Sequence, residues 1–200
     1  FQPNCAFLGF PLIEGVVGKD GMAFASIFAT VEWPIVIIAT LIVLQGWEAS
    51  PVTKLKEIAR EPLMIAIMIG IPISLLGLSV PEIIHKPIAM GGSLAGPLAL
   101  IVVGARLAIH DMQRHTAGIV WASAVKLVAI PSAMYFIAQA MGLSGVSLNV
   151  FVLLMATPIA AGMTIIVGAN DGDVELCANA TSVSTIASLA TLIAIATLLT

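Results

Sequence analysis

Apolar residues run along this chain in long stretches, and polar residues gather in short clusters between them. Taken as helices, the stretches cover residues 7–17, 21–45, 62–78, 87–108, 117–141, 147–167 and 174–199. A helix needs about 20 apolar residues to cross a bilayer. The stretch 7–17 is too short for that and reads as the second half of a helix broken at Pro3-Asn4. Lys19-Asp20-Gly21 forms the expected turn after it. The polar clusters give loops at 46–61, 80–86 and 106–115, and 142–145 is a tight uncharged turn. Pro34, Pro72 and Pro131 fall inside helices as kinks. Gly92 and Gly96 are spaced to let another helix approach closely.

The stretch 147–167 carries its own interruption. Thr157-Pro158 and Gly162 break an apolar helix near the depth of a bilayer midplane, and an acidic turn with Asp171, Asp173 and Glu175 follows. Proline cannot donate to the helix ladder, and a lipid-facing break would strand backbone amides and carbonyls. The break should therefore face protein or a polar cavity, as the substrate-binding breaks of many secondary transporters do. Asp173 is placed to cap the helix that follows. A metal site in the acidic turn is the weaker reading.

The two breaks belong to a repeat. Asp20-Gly21 is followed by Ala29-Thr30 with the spacing at which Asp171-Gly172 is followed by Ala180-Thr181, an offset of 151 residues. A proline-broken helix precedes each Asp-Gly pair and a long apolar helix follows. Five segments separate the copies, so they run in opposite senses across the membrane, an inverted-topology repeat. The repeat divides the chain into 1–45, the end of a first repeat with half a broken helix and one transmembrane helix; 46–61, a cytoplasmic linker loop; and 62–200, a second five-helix repeat. It also implies about three further helices, about 90–100 residues, before residue 1. On that expectation the chain holds about seven of ten helices.

Composition confirms the medium. The chain is 60% hydrophobic and 10% charged, against about 25% charged in soluble domains. This is an all-α, polytopic membrane protein. Lys54, Lys56, Arg60, Arg106 and Arg114 fall in loops on one side and Lys19 and Lys86 on the other, which puts the first group in the cytoplasm. No basic patch suggests nucleic acid. Cys5 and Cys177 form no pattern, and no nucleophile–base arrangement, phosphate loop or metal-ligand spacing is present. An enzyme is therefore not expected, and no cofactor is.

Ionisable groups inside a bilayer are functional candidates by default. Lys126 and Glu32 lie roughly 14 and 16 Å into their helices at about 1.5 Å per residue. One reading is a buried pair that holds the bundle together. The other makes Lys126 a fixed cation that attracts an anionic substrate or stands in for a coupling sodium ion, with Glu32 as its proton partner. At the breaks, exposed backbone and the positive end of a half-helix suit a carboxylate. Asn4 and Thr157 can add side-chain hydrogen bonds there. Asn179 and Thr181 either face the second break or make packing hydrogen bonds. His85, His110 and His115 are interfacial loop residues.

Pro3-Asn4 with Gly9-Phe10-Pro11-Leu12, Ala156-Thr157-Pro158-Ile159-Ala160 through Gly172-Asp173, and Pro97-Leu98-Ala99-Leu100 with Gly104-Ala105-Arg106-Leu107 resemble the auxin efflux carrier family of bacterial transporters, relatives of plant PIN-type carriers. The resemblance runs over the whole chain and is specific at the two breaks. Plant members typically have Pro-Asn-Thr at the first, so Cys5 departs from that pattern. They often have Asn near the position of Glu32, which adds a negative charge beside an anion site and suggests proton coupling. The resemblance implies inverted five-helix repeats whose broken helices cross, as in sodium/proton antiporters and bile-acid symporters. It implies that Asn4 is a substrate ligand at the crossing and that Thr157 and Pro158 shape the matching break. With the residues singled out above, the expected substrate site is Asn4, Cys5, Thr157, Pro158, Lys126, Glu32 and Asn179.

The expected function is a secondary active transporter, a permease or efflux carrier. It moves small organic anions, mono- or dicarboxylates, across the inner (plasma) membrane by elevator-like alternating access. Proton or sodium coupling, the lipid bilayer and a homodimer are further expectations. A membrane sensor or receptor domain on the same fold is the alternative, and the longest polar loop is short for one.

Overall fold

A computed structural model describes residues 2–45, 59–60, 62–105, 116–169 and 171–199. The expected loop at 106–115 and nearly all of that at 46–61, with most of the charges that set the orientation, lie outside the described residues. The described chain is all-helical, with no strand. Its helices are α1 (Cys5–Val16), α2 (Lys19–Gln45), α3 (Pro62–Leu75), α4 (Glu82–Ala105), α5 (Thr116–Ala140), α6 (Gly145–Met155), α7 (Met163–Ala169) and α8 (Val174–Leu199). Among the described residues, Lys19–Thr40, Thr116–Ala140 and Val174–Leu199 are long and apolar enough to cross a membrane.

The chain forms two compact units, Phe1–Phe28 with Ala95–Thr200, and Ala29–Leu94. In the second unit, α3 and the start of α4 present apolar side chains outward, Met68 and Ile83 among them. In water such a surface would be unstable; against hydrocarbon or another helix it is not. The first unit is built differently. Its core joins α1, α2 and α6 through Cys5, Ile13, Ala25, Val150, Leu153 and Leu154. A second cluster sets Ile159, Ala160 and Met163 against Ala180 of α8.

Two helices are widened by π turns, Cys5–Gly9 at the start of α1 and Val125–Ala129 within α5. Each turn runs into a proline two residues on, Pro11 or Pro131. A proline ring clashes with the carbonyl of the preceding turn. The wider turn makes room for the ring without ending the helix.

Several boundaries differ from expectation for local reasons. The turn expected at Lys19–Gly21 falls at Val17–Gly18 instead. Gly18 takes φ +81° and its N–H donates to the Ile13 carbonyl. Asp20 then sits in the first turn of α2, where the helix dipole favours a carboxylate. Gly21 has no room for a side chain, since a Cβ would lie 2.6 Å from that of Val17. The expected loop 80–86 is helical from Glu82. The Pro81 carbonyl accepts the first helical bonds, and Lys86 pairs with Glu82 one turn earlier at 2.8 Å. Helix α3 stops at Leu75 because Gly77 turns left-handed and Leu78 N–H donates to the Ile73 carbonyl. The expected cap on α8 is made: Leu176 N–H donates to Asp173 Oδ1 at 2.9 Å.

The repeat is also registered differently. Gly172 N–H donates to the Val167 carbonyl as Gly18 does to that of Ile13, so the equivalent turns lie 154 residues apart. The Asp-Gly match at 151 pairs a residue inside α2 with one in the turn before α8, where Asp171 takes φ +54°.

Candidate functional site

The two breaks meet. Residues 2–4 and 157–160 are not helical, and they run antiparallel past each other with Pro3 bridged to Ile159. Asn4 N–H donates to the Pro158 carbonyl and Ala160 N–H to the Gln2 carbonyl, both at 2.9 Å. Neither Pro3 nor Pro158 has an N–H to offer; Pro158 accepts through its carbonyl, and Asn4 and Ala160 supply the donors. Backbone that each half-helix releases is thus satisfied by the other break. That is what buried non-helical backbone at membrane depth requires.

Around this crossing the side chains are polar and buried. Thr157 Oγ1 donates to the Leu154 carbonyl at 2.6 Å, tightening the last turn of α6. Lys126, fully buried on the π turn of α5, donates from Nζ to the Met155 carbonyl at 2.6 Å. A cation there faces the negative end of the α6 dipole. Ile159 N–H donates to Ser184 Oγ of α8 at 3.3 Å. Ser184 O–H donates in turn to the Thr181 carbonyl, and Thr185 and Ser188 likewise bond back to α8.

At the first break Asn4 is different. Its carbonyl accepts from Leu8 and Gly9 N–H and so starts α1. It holds the N-cap position, yet its side chain makes no capping bond. The residue is 2% exposed, and neither Nδ2 nor Oδ1 has a hydrogen-bond partner among the described residues. An N-cap Asn normally turns its oxygen onto the first turn. Here a buried amide stands uncommitted at the positive end of a half-helix.

The structure gathers Asn4, Thr157, Pro158 and Lys126 at the crossing. Asn179 is buried on α8 beside Ala180, which packs on Ile159 and Ala160. Cys5 follows Asn4, and its side chain packs into the apolar core with Ile13 and Leu154. Glu32 is buried on α2, in the unit Ala29–Leu94. Among the described residues, no group of three His, Cys, Asp or Glu is placed to hold a metal ion. A cavity of about 530 Å³ lies elsewhere, lined by apolar residues of α5, α6 and α8 such as Leu127, Phe136 and Leu198.

Three contributors escape a reading of the sequence. Gly9 lies where a Cβ would come 2.7 Å from Leu154 Cδ2 and 3.5 Å from Thr157 Cγ2, so its smallness lets α1 close on the second break. Gln2 supplies only its carbonyl, which no residue type announces. Ser184 could have been found: Thr181, Ser184, Thr185 and Ser188 make a polar stripe at helical spacing on an otherwise apolar helix.

The profile of a family described as membrane transport protein matches residues 1–196. The chain belongs to that family. This bears out the resemblance to the auxin efflux carriers at the level of family. The membrane transport protein assignment and the apolar helices together make it a multi-pass membrane protein. An uncharacterized transporter of Methanothermobacter thermautotrophicus is 26% identical over 94% of this chain and 62% of its own length. One of Methanocaldococcus jannaschii is 24% identical over 93% of this chain and 62% of its own length. The chain thus spans less than two thirds of these curated relatives. No solved structure matches it.

Proposed function

We propose that the chain carries the crossover of a secondary transporter for small organic anions. The reading rests on the uncommitted amide of Asn4, buried at the N-terminal end of α1 where it crosses the second break. A carboxylate would accept a hydrogen bond from Asn4 Nδ2 and sit at the positive end of the half-helix dipole. Its carbon skeleton would lie over residues that are small or apolar, Ala160 and Ile159 among them. The second break is held by Thr157, Lys126 and Ser184 and gives the site a fixed wall. The two crossed breaks move as one body past the rest of the protein, which is alternating access of the elevator kind, in the plasma (inner) membrane. Work comes from an ion gradient or the membrane potential; protons and sodium are the candidate coupling ions.

The test is uptake of labelled mono- and dicarboxylates into proteoliposomes of the complete protein, with and without pH and sodium gradients. Saturable uptake of at least one carboxylate, reduced roughly tenfold to a hundredfold in Asn4→Ala, is expected. Equal uptake by wild type and Asn4→Ala would remove Asn4 from the site.

A further inference from the structure

Lys126 is the largest fully buried side chain among the described residues, and a polar one. Its ammonium donates to the Met155 carbonyl, which is the last of half-helix α6. That carbonyl cannot be satisfied by a continuing helix, because the chain turns at Ala156 and breaks at Pro158. The neighbouring Leu154 carbonyl is already taken by Thr157, through both its N–H and its hydroxyl. What remains at the end of α6 is an oxygen at the negative pole of a helix, enclosed by protein. A small cation is attracted to such an oxygen as the Lys126 ammonium is.

We infer that Lys126 occupies a monovalent-cation site at the C-terminal end of α6, so that the crossing carries its own tethered cation in place of an exchangeable one. This rests on the transporter reading and refines it. The α6 end needs no sodium ion to hold its shape, and a site emptied of the lysine stem admits a small cation from solution. Lys126 stands on the π turn Val125–Ala129, from which Leu127 lines the cavity on α5.

The test does not depend on transport. The thermal midpoint of the complete protein in detergent is measured against ammonium, methylammonium and sodium chloride, with choline chloride at equal ionic strength as reference. Lys126→Ala should lose several degrees and regain part of them, saturably, with a small cation, while wild type shows no such difference between salts. A Lys126→Ala protein that gains nothing from any small cation would overturn the inference. If Lys126→Ala does not fold, the wild type still decides. A saturable, sodium-specific rise in its midpoint would show an exchangeable ion already present, and equal midpoints in sodium and choline would support the tethered one. Uptake that fails in every gradient while the cation effect stands would remove the transport reading and leave the cation site.

Discussion

The two breaks use the same device and finish it differently. At Thr157-Pro158 each released group that can be followed has a partner: Thr157 closes on Leu154, Lys126 on Met155, and Ser184 accepts from Ile159. At Pro3-Asn4 the Asn4 N–H and the Gln2 and Asn4 carbonyls are paired, but the Asn4 side-chain amide has no partner among the described residues. A buried amide without a partner costs about 1–3 kcal/mol. On the proposed transporter reading, the first break keeps a socket and the second a wall. On that reading, the contrast separates groups that hold the crossing from the group offered to a ligand.

That contrast can be attacked at four points. Asn4→Ala should have the largest effect, on activity alone. A hydrogen bond to a charged ligand is worth about 1.5–3 kcal/mol, which is roughly tenfold to a hundredfold in uptake. The thermal midpoint should stay level or rise, because no protein partner is lost. A fall in stability without loss of uptake would make the first break structural like the second. Lys126→Met should do the reverse, lowering unfolding free energy by about 1–3 kcal/mol through the abandoned Met155 carbonyl; reversible unfolding in mixed micelles reads it. Gly9→Val forces α1 away from Leu154 and Thr157, at about 1–3 kcal/mol of overpacking. It should weaken uptake as well, since it parts the two breaks, and the same two assays check both. Ser184→Ala should be mildest. Hydrogen bonds between helices in membranes average about 0.6 kcal/mol, so its midpoint should fall less than those of Lys126→Met and Gly9→Val and its uptake remain near wild type.

Much of this could be read from the residues, and the rest had physical reasons to stay hidden. Helix α8 was legible to its ends, because its apolar run has a capping Asp173 in front. The break at Thr157-Pro158 was legible because proline in an apolar run has few other meanings. The meeting of the breaks was an expectation of the repeat and the family resemblance. Its bonds, Asn4 to Pro158 and Ala160 to Gln2, are backbone bonds that leave no mark on residue type. For the same reason the partner of Lys126 was out of reach: it is a main-chain carbonyl 29 residues away. The offset of 151 was misleading because a four-residue match ignores geometry. Gly18, two residues before the matched Asp20, is the one that takes the turn. The helix over 82–86 was missed because charged residues beside a proline look like a loop until the Glu82–Lys86 pair is seen one turn apart.

The π turn in α5 has an effect beyond lodging Pro131. One extra residue in a turn advances the helix by about 100° of rotation, since 3.6 residues make a full circle. The faces of α5 are therefore out of phase across Val125–Ala129. Before it, Thr116–Ala124 packs on α8; after it, Ile130–Ala140 packs on α6. A straight helix of this composition would offer one stripe to one neighbour. This one changes neighbours halfway, and Lys126 stands at the change. Deleting a single residue from that turn would rewind the second half and swing its stripe off α6, with every side chain still present.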